Sequence, residues 1–413
     1  MKNDILFIAH RIPFPPNRGD KIRSHHILNR LARLAPVHVA CFADDDADMA
    51  EEVELAALAH SYRLVRRSKP LIVAGMEAIA RGAPVSLTAF HDRVLARYVQ
   101  DTLAGGRIGT VFVYSGQMGQ FVPADWAGRL VVDFCDVDSV KFEAYARQGH
   151  NPATGWINAR EARLLRAEEA RLAARADVSL LISAREAELF VQRAAGTAAA
   201  QADVRVIGNG IDSVTFDPGQ VDAEPRLRSA GGPRLIFTGQ MDYAPNVEAA
   251  LRTARAILPR VRAVLPEATF HIVGRAPTEA VRALDGIGGV HVWGAVPDIR
   301  GWLKGADIAL APLTIARGVQ NKVLEAMAME LPVVLTGAAA TGIGAVAGQQ
   351  FLVAETDQAL AEAVIGLAQD PRRAGAMGLA ARHFVTEQAS WQSALAPLGQ
   401  IVHGPARVRR DAA

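Results

Sequence analysis

Two stretches of this 413-residue chain put cations where a helix does not favour them. In "PFPPNRGDKIRSHH", Arg18, Lys21 and Arg23 cluster around the start of an amphipathic helical pattern, with Gly19 and Asp20 between them. In "TIARGVQNKVLEAMAM", a loop carrying Arg317 and Gly318 leads to Asn321, a good N-cap, and Lys322 follows in the first helical turn. A helix start presents unsatisfied N–H groups and partial positive charge, so it attracts anions rather than cationic side chains. A bound phosphate or pyrophosphate would reconcile the pattern, because N–H groups and cations can converge on it together. Glu325, one turn beyond Lys322, is placed to accept hydrogen bonds from sugar hydroxyls. Solvated cations that bend away from the helix are the simple alternative at either place alone; the repetition favours a ligand.

These residues need elements to hold them. Apolar runs alternate with helical patterns from "ILFIAH" through "VHVACFA", "TVFVYS", "RLVVDFC" and "DVSLLIS". A second series follows Gly231-Gly232: "RLIFTG", "TFHIVG", "VHVWG", "IALAPL", "PVVLTG" and "QFLVA". Buried runs separated by helices predict parallel sheets covered on both faces. Two doubly wound α/β units are expected, over 1–212 and 213–384, with a helical tail over 385–413. The join falls near "VRVIGNGIDSVTFDPGQ", whose Gly, Asn, Asp and Pro suit a hinge. In open α/β sheets ligands bind beyond the carboxyl ends of the strands, which is where both cationic loops fall.

Composition narrows the function. Lys and Arg total 45 against 43 Asp and Glu, so the chain lacks the general basic field of a nucleic-acid binder. Its two cysteines, Cys41 and Cys135, lie in strand-like runs with neither metal-ligand nor disulfide spacing, which predicts a reducing, cytoplasmic setting. No uncharged apolar run reaches the ~18–20 residues a bilayer span needs. Membrane contact, where there is any, is therefore expected to be peripheral.

Taken together, "RGVQNKVLEAMAMELPVV", "RLIFTGQMDYAPNVEAA", "FHIVGRAPTEAV", "VWGAVPDIRGWLKGADIALAPL" and "VIGNGIDSVTFDP" resemble the two-domain, GT-B-type glycosyltransferases of family 4. With "PFPPNRGDKIRSHH" and "VVDFCDVDSVKF", the chain is most similar to the sugar transferases associated with exosortase (PEP-CTERM) exopolysaccharide systems. The resemblance implies two Rossmann-like domains facing a central cleft, with the C-terminal helix crossing back to the first. It implies transfer of a sugar from a nucleotide diphosphate sugar to a glycan or lipid-linked acceptor, with retention, no cofactor and no obligatory metal. Lys322 would bind the diphosphate and Glu325 the ribose. Gly239 and Asn246 would face the phosphates, Val296 and Pro297 would pass the base, and Gly19 would approach donor and acceptor. Asp136 falls where the family carries a polar residue beside the reacting centre. Two departures stand out: Arg317 occupies the position eight before Glu325 where the family has a second glutamate, and Gln240 and Asn246 replace a usual Arg and Lys. Arg317 would then add charge for the diphosphate and join Asp136 and Lys322 in catalysis. A sugar-nucleotide 2-epimerase of similar fold, or a nucleotide-sugar-binding protein without catalysis, is the alternative.

Other features carry simpler expectations. "DFCDVDS" contains an Asp-x-Asp, Asp136 and Asp138, whose carboxylates could hold a divalent cation. The second complete unit argues against the fold that uses that motif. His10 ends the first strand and is equally compatible with cleft and core, and His25 and His26 point apart on one helix. "YRLVRRSKPLIVAGMEAIARGAP" sets Arg63, Arg66, Arg67 and Lys69 beside an apolar helix. It is expected to be an ordinary packed amphipathic helix, with a surface resting on anionic lipid as the alternative.

Overall fold

Runs rich in Val, Ile, Leu and Phe become strands because β-branched and aromatic side chains suit a pleated, two-sided core. The computed structural model describes residues 3–148, 152–316 and 319–405. In the first unit the strands are β1 (Asp4–Ala9), β2 (Val37–Ala43), β3 (Ser61–Arg66), β4 (Ile108–Tyr114), β5 (Arg129–Cys135), β6 (Val178–Leu181) and β7 (Val204–Val206). They form one sheet in the order β3-β2-β1-β4-β5-β6-β7, every neighbouring pair parallel. The second unit holds β8 (Arg234–Thr238), β9 (Thr269–Val273), β10 (Val290–Gly294), β11 (Ile308–Ala311), β12 (Val333–Leu335) and β13 (Leu352–Val353). Their order is β10-β9-β8-β11-β12-β13, again parallel throughout.

Both sheets are thus doubly wound α/β layers, and each reverses its strand order once. In the first unit the reversal lies between β1 and β4, in the second between β8 and β11. Loops leaving the carboxyl ends of these strands diverge to opposite faces and open a crevice there, the place where ligands bind in such sheets.

The division falls between Gly208 and Asn209, slightly before 212, and the second unit runs to Ala394. Ile211 explains the first limit: its N–H donates to the Ala389 carbonyl, and its own carbonyl accepts from Trp391 N–H. Leu395–Ala413 groups with the first unit. There the Leu398–His403 helix buries Leu398, Ile401 and Val402, Thr110 Oγ1 donates to the Val402 carbonyl at 2.7 Å, and Arg129 Nε donates to the Ile401 carbonyl at 2.5 Å.

Two strands depart from the sequence expectation. Ser61–Arg66 had been placed in the basic approach to a helix, and Val204–Val206 in the hinge. Both are edge strands of the first sheet, and edges tolerate the exposed arginines that blur a strand pattern.

Beneath the loop edge of the first sheet lies a buried ion pair. Arg23, 1% exposed, donates to the fully buried Asp133 at 2.9 Å and to the Gly208 carbonyl at 3.3 Å. It thereby ties the Gly19–Ala32 helix to β5 and to Gly208, where the first segment of the unit ends. Arg23→Ala leaves a buried carboxylate unmatched, which typically costs about 3–5 kcal/mol. The variant should show an earlier thermal unfolding transition, and Arg23→Met combined with Asp133→Leu should recover most of the loss. An unchanged melting curve for Arg23→Ala would show that the pair holds nothing together.

Candidate functional site

At the reversal point of the second sheet, two strand ends supply a cation and its support. The Asn321–Ala328 helix follows β11, and its first turn carries Lys322. Asn321 is not the N-cap as the sequence suggests; Gln320 takes that position in an extended conformation, without a side-chain cap. The chain enters the helix one residue earlier than the Asn side chain would favour, and Asn321 is left exposed as the first helical residue.

Lys322 Nζ donates to Asn246 Oδ1 and lies 4.7 Å from the centre of the Phe237 ring. Asn246, buried in the first turn of the Ala244–Arg252 helix, is fixed in turn by donating from Nδ2 to the Gln240 carbonyl at 2.9 Å. Among the described residues no carboxylate is ion-paired with Lys322; Glu325 acts on it at longer range. Burial pulls the Lys322 ammonium down to about 8, partly opposed by Glu325. Burial likewise pushes the Glu325 carboxyl up to about 7, partly opposed by Lys322. Each group is held against its charged form, and an added anion beside Lys322 would restore the ammonium.

The floor of this site is backbone. Gly239, Gly274 and Gly294 end three neighbouring strands, β8, β9 and β10, or follow them directly. Gly239 N–H donates to the Val273 carbonyl at 3.1 Å, and Gly274 N–H to the Gly294 carbonyl at 2.8 Å. A Cβ on Gly274 would lie 1.6 Å from the Gly239 carbonyl oxygen, and one on Gly239 would lie 2.9 Å from Asn246 Nδ2 and 3.1 Å from Lys322 Nζ. The close approach therefore demands glycine at both. Val296 and Pro297 lie in the loop after β10, half-buried and exposed respectively. Arg317 and Gly318 lie outside the described residues.

Sequence reasoning missed Gly274, Phe237 and Arg275. The last donates to Gln240 Oε1 at 2.9 Å and so brings a cation beside the Gly239 loop. Only the "GRAPT" loop as a whole was visible as a strand end; the contacts run between different strand ends and leave no local spacing.

In the first unit the expected anion-facing cations are met internally. Lys21, 2% exposed, donates to the Phe14 carbonyl at 2.8 Å and to Asp48, and Arg23 pairs with Asp133. Neither charge faces solvent. Arg18 is exposed and shares Asp20 and Asp44 with Arg11, all within 2.5–3.1 Å. Burial works to raise the Asp20 carboxyl, but the His10 hydrogen bond and the charges of Arg11, His10 and Arg18 together bring it well below the usual range. Gly19 opens the helix with free space around its Cβ position.

Asp136 lies just past the end of β5, after Cys135 in a left-handed conformation (φ 64°). Lys141 Nζ stands 3.0 Å from Asp136 and 2.9 Å from Asp138, so an ammonium neutralises the Asp-x-Asp pair. Nearby Glu169 accepts from Ser139 N–H at 2.9 Å and Oγ at 2.6 Å, and burial pushes its carboxyl up to about 7.

The glycine floor yields a sharp expectation. Gly274→Ala should displace the Gly239 loop, because the atoms that its Cβ would meet are all Gly239 backbone, and should lower the thermal unfolding transition far more than Gly19→Ala, whose Cβ meets nothing. Thermal melts of both variants test this; equal transitions would mean that the loop yields without consequence.

Comparison with known proteins places this geometry. Residues 232–370 match the family model described as "Glycosyl transferases group 1". A phosphatidyl-myo-inositol mannosyltransferase of Propionibacterium freudenreichii is 31% identical over 129 residues, 31% of this chain and 32% of that protein; the match thus spans about a third of the relative's length. Among solved structures, sucrose-phosphate synthase from Thermosynechococcus elongatus is similar with a TM-score of 0.61 at 16% identity, covering 97% of this chain and 98% of the other. Anabaena Alr3699/HepE in complex with UDP is similar with a TM-score of 0.61 at 16% identity, covering 96% and 98%. The fold of both units is that of GT-B glycosyltransferases. The segment that matches this family model holds Gly239, Asn246, Lys322 and Glu325.

Proposed function

We propose that the chain is a glycosyltransferase that takes a sugar from a nucleotide diphosphate sugar and delivers it to a glycan or lipid-linked acceptor. The observation that carries this proposal is Lys322: an ammonium without a described carboxylate partner, at a helix start, at the strand-order reversal of a segment matching group 1 glycosyl transferases. Lys322 and the N–H groups of its helix hold the diphosphate, and Asn246 and Phe237 keep the ammonium in place. Glu325 receives the ribose hydroxyls. Gly239 lets the backbone approach the phosphates, and Val296 and Pro297 border the base. Arg317, by its type, would add positive charge for the diphosphate. The first unit supplies the acceptor side, with Asp136, Arg18, Gly19 and Asp20 at its strand ends.

Catalysis in this proposal is electrostatic. As the bond between sugar and diphosphate breaks, negative charge grows on the leaving phosphates, where a cation already in position stabilises it without reorganising. Transfer proceeds with retention and without a metal; the Lys141 ammonium between Asp136 and Asp138 supports the second point. UDP, bound by the Anabaena relative, is the first nucleotide to try. The setting, on motif resemblance alone, is exopolysaccharide assembly of the exosortase-associated kind, at the inner face of a membrane.

Lys322→Ala should weaken binding of a nucleoside diphosphate by about 1.5–3 kcal/mol while leaving the nucleoside nearly unaffected. Calorimetry that finds equal loss for both ligands would remove Lys322 from the phosphate site. Transfer to acceptor should also persist in EDTA; complete loss reversed by magnesium or manganese would instead give Asp136 and Asp138 a metal.

A pH profile adds an independent check. Because the Lys322 ammonium is pulled down to about 8, the free protein loses this proton as pH rises through that value. The diphosphate prefers the ammonium, so affinity for a nucleotide sugar, whose phosphodiester charges are constant there, should fall as pH rises past about 8. Lys322→Arg should flatten the profile, since a guanidinium stays protonated. A profile that is unchanged between wild type and Lys322→Arg would refute the assignment.

A further inference from the structure

One surface of the first unit inverts the usual order of burial. The Leu71–Arg81 helix packs on its unit through its small residues Ala74 and Ala78, both fully buried. Its large ones face outward: Leu71 is 70% exposed, Ile72 77%, Met76 61% and Ile79 67%. The helix is therefore not the ordinary packed amphipathic helix expected from its sequence. Arg160 donates to the carbonyls of Ala78 and Ala83 at 3.0 and 3.2 Å, which brings the start of the Pro152–Arg175 helix alongside. One turn before Arg160, Trp156 and Ile157 are also exposed, extending the apolar surface with an indole.

The charge around this surface has one sign in excess. Between Ser61 and Arg97 there are seven Lys and Arg against two Asp and Glu, in a chain that is otherwise nearly balanced. Glu77 pairs with both Lys69 and Arg81, and Asp44 and Asp46 reach in from the loop after β2 to Arg67 and Arg66. Arg63, Arg93 and Arg97 remain as further exposed cations. An open groove beside the helix is lined by Val73, Met76 and Ala80, by Lys69, Arg81 and Arg93, and by two acids, Glu77 and Asp92. Among the described residues no helix is long and apolar enough to cross a membrane.

We propose that this surface, the outer face of Leu71–Arg81 with Trp156 and Ile157, rests in the headgroup region of an anionic phospholipid bilayer. Apolar side chains of this size, standing out from a short helix with Lys69, Arg81 and Arg93 beside them, gain by entering the acyl boundary while the cationic groups meet lipid phosphates. A tryptophan at the edge of the patch suits the same interface. The surface itself is read from exposure and charge; its choice of a bilayer as partner rests on the proposal above of peripheral contact with a lipid-linked acceptor.

The test is sedimentation of the full chain with vesicles of phosphatidylcholine, with and without phosphatidylglycerol, at low and high salt. Binding should require the anionic lipid and weaken with salt. Ile72→Glu and Ile79→Glu should each lower the vesicle affinity about tenfold or more, and Arg93→Glu with Arg97→Glu should lower it mainly at low salt. All of these positions are exposed, so melting temperature and nucleotide affinity should stay at wild-type values. Binding that ignores lipid charge, or survives both isoleucine changes, overturns the proposal. So does a dimer in sedimentation velocity that Ile72→Glu dissolves, since the partner would then be a second copy. Vesicle binding without any nucleotide binding would instead sink the donor proposal and leave this surface standing.

Discussion

A partly dry ammonium without a matching carboxylate is a costly thing to fold, because desolvation disfavours the charged form and a single amide oxygen only partly compensates. Among the described residues Lys322 is in that situation, and much of the second unit around it can be understood as what keeps it there. Asn246 holds its charge, and the Gln240 carbonyl holds Asn246. Phe237 offers a ring face that attracts the ammonium. The glycines at the ends of β8 and β9 remove side chains that would fill the space in front of it. This arrangement is stable only because strands β8, β9 and β11 lie adjacent in a rigid parallel sheet, so that residues distant in sequence are fixed at ångström precision.

The first unit shows the opposite solution to the same sequence pattern. Cations also stand at a helix start after the first strand, but Lys21 and Arg23 are neutralised by Asp48 and Asp133. These partners lie 27 and 110 residues away, so nothing in the local sequence distinguishes a cation that awaits an anion from one that is already matched. The two cases separate on partner charge. A carboxylate partner closes the account of Lys21 and Arg23, whereas an amide and a ring leave Lys322 with net charge to offer.

What could be read from sequence follows the same physics. Central strands such as Val37–Ala43 were plain because both faces are buried and every residue is apolar or nearly so. The edge strands Ser61–Arg66 and Val204–Val206 were hidden, because one side of an edge faces water and takes arginine. Lys322 and Glu325 stand out in the sequence by their place at a helix start, and Gly239 and Asn246 through the family resemblance; Gly274, Phe237 and Arg275 do not, because their contacts depend on which strands are neighbours. The Leu71–Arg81 helix was visible as an apolar segment, but which of its faces packs is a tertiary fact. Its alanines could only be recognised as the inner face once their burial was known.

On the proposed donor role, the reach of the family match, residues 232–370, has a physical reason. A diphosphate is recognised by groups that vary little: a helix start, a cation and a backbone that comes close, which together fix glycines, a lysine and their spacing. The loops at the strand ends of the first unit have no such common demand. Arg11, Arg18, Asp20 and Asp44 form a network that could be rebuilt with other side chains without disturbing the sheet beneath, since surface loops tolerate change and carry specificity. On the proposed division of labour, the donor side is therefore the part of the molecule legible by resemblance. On the same proposal, the acceptor side is written in contacts particular to this chain.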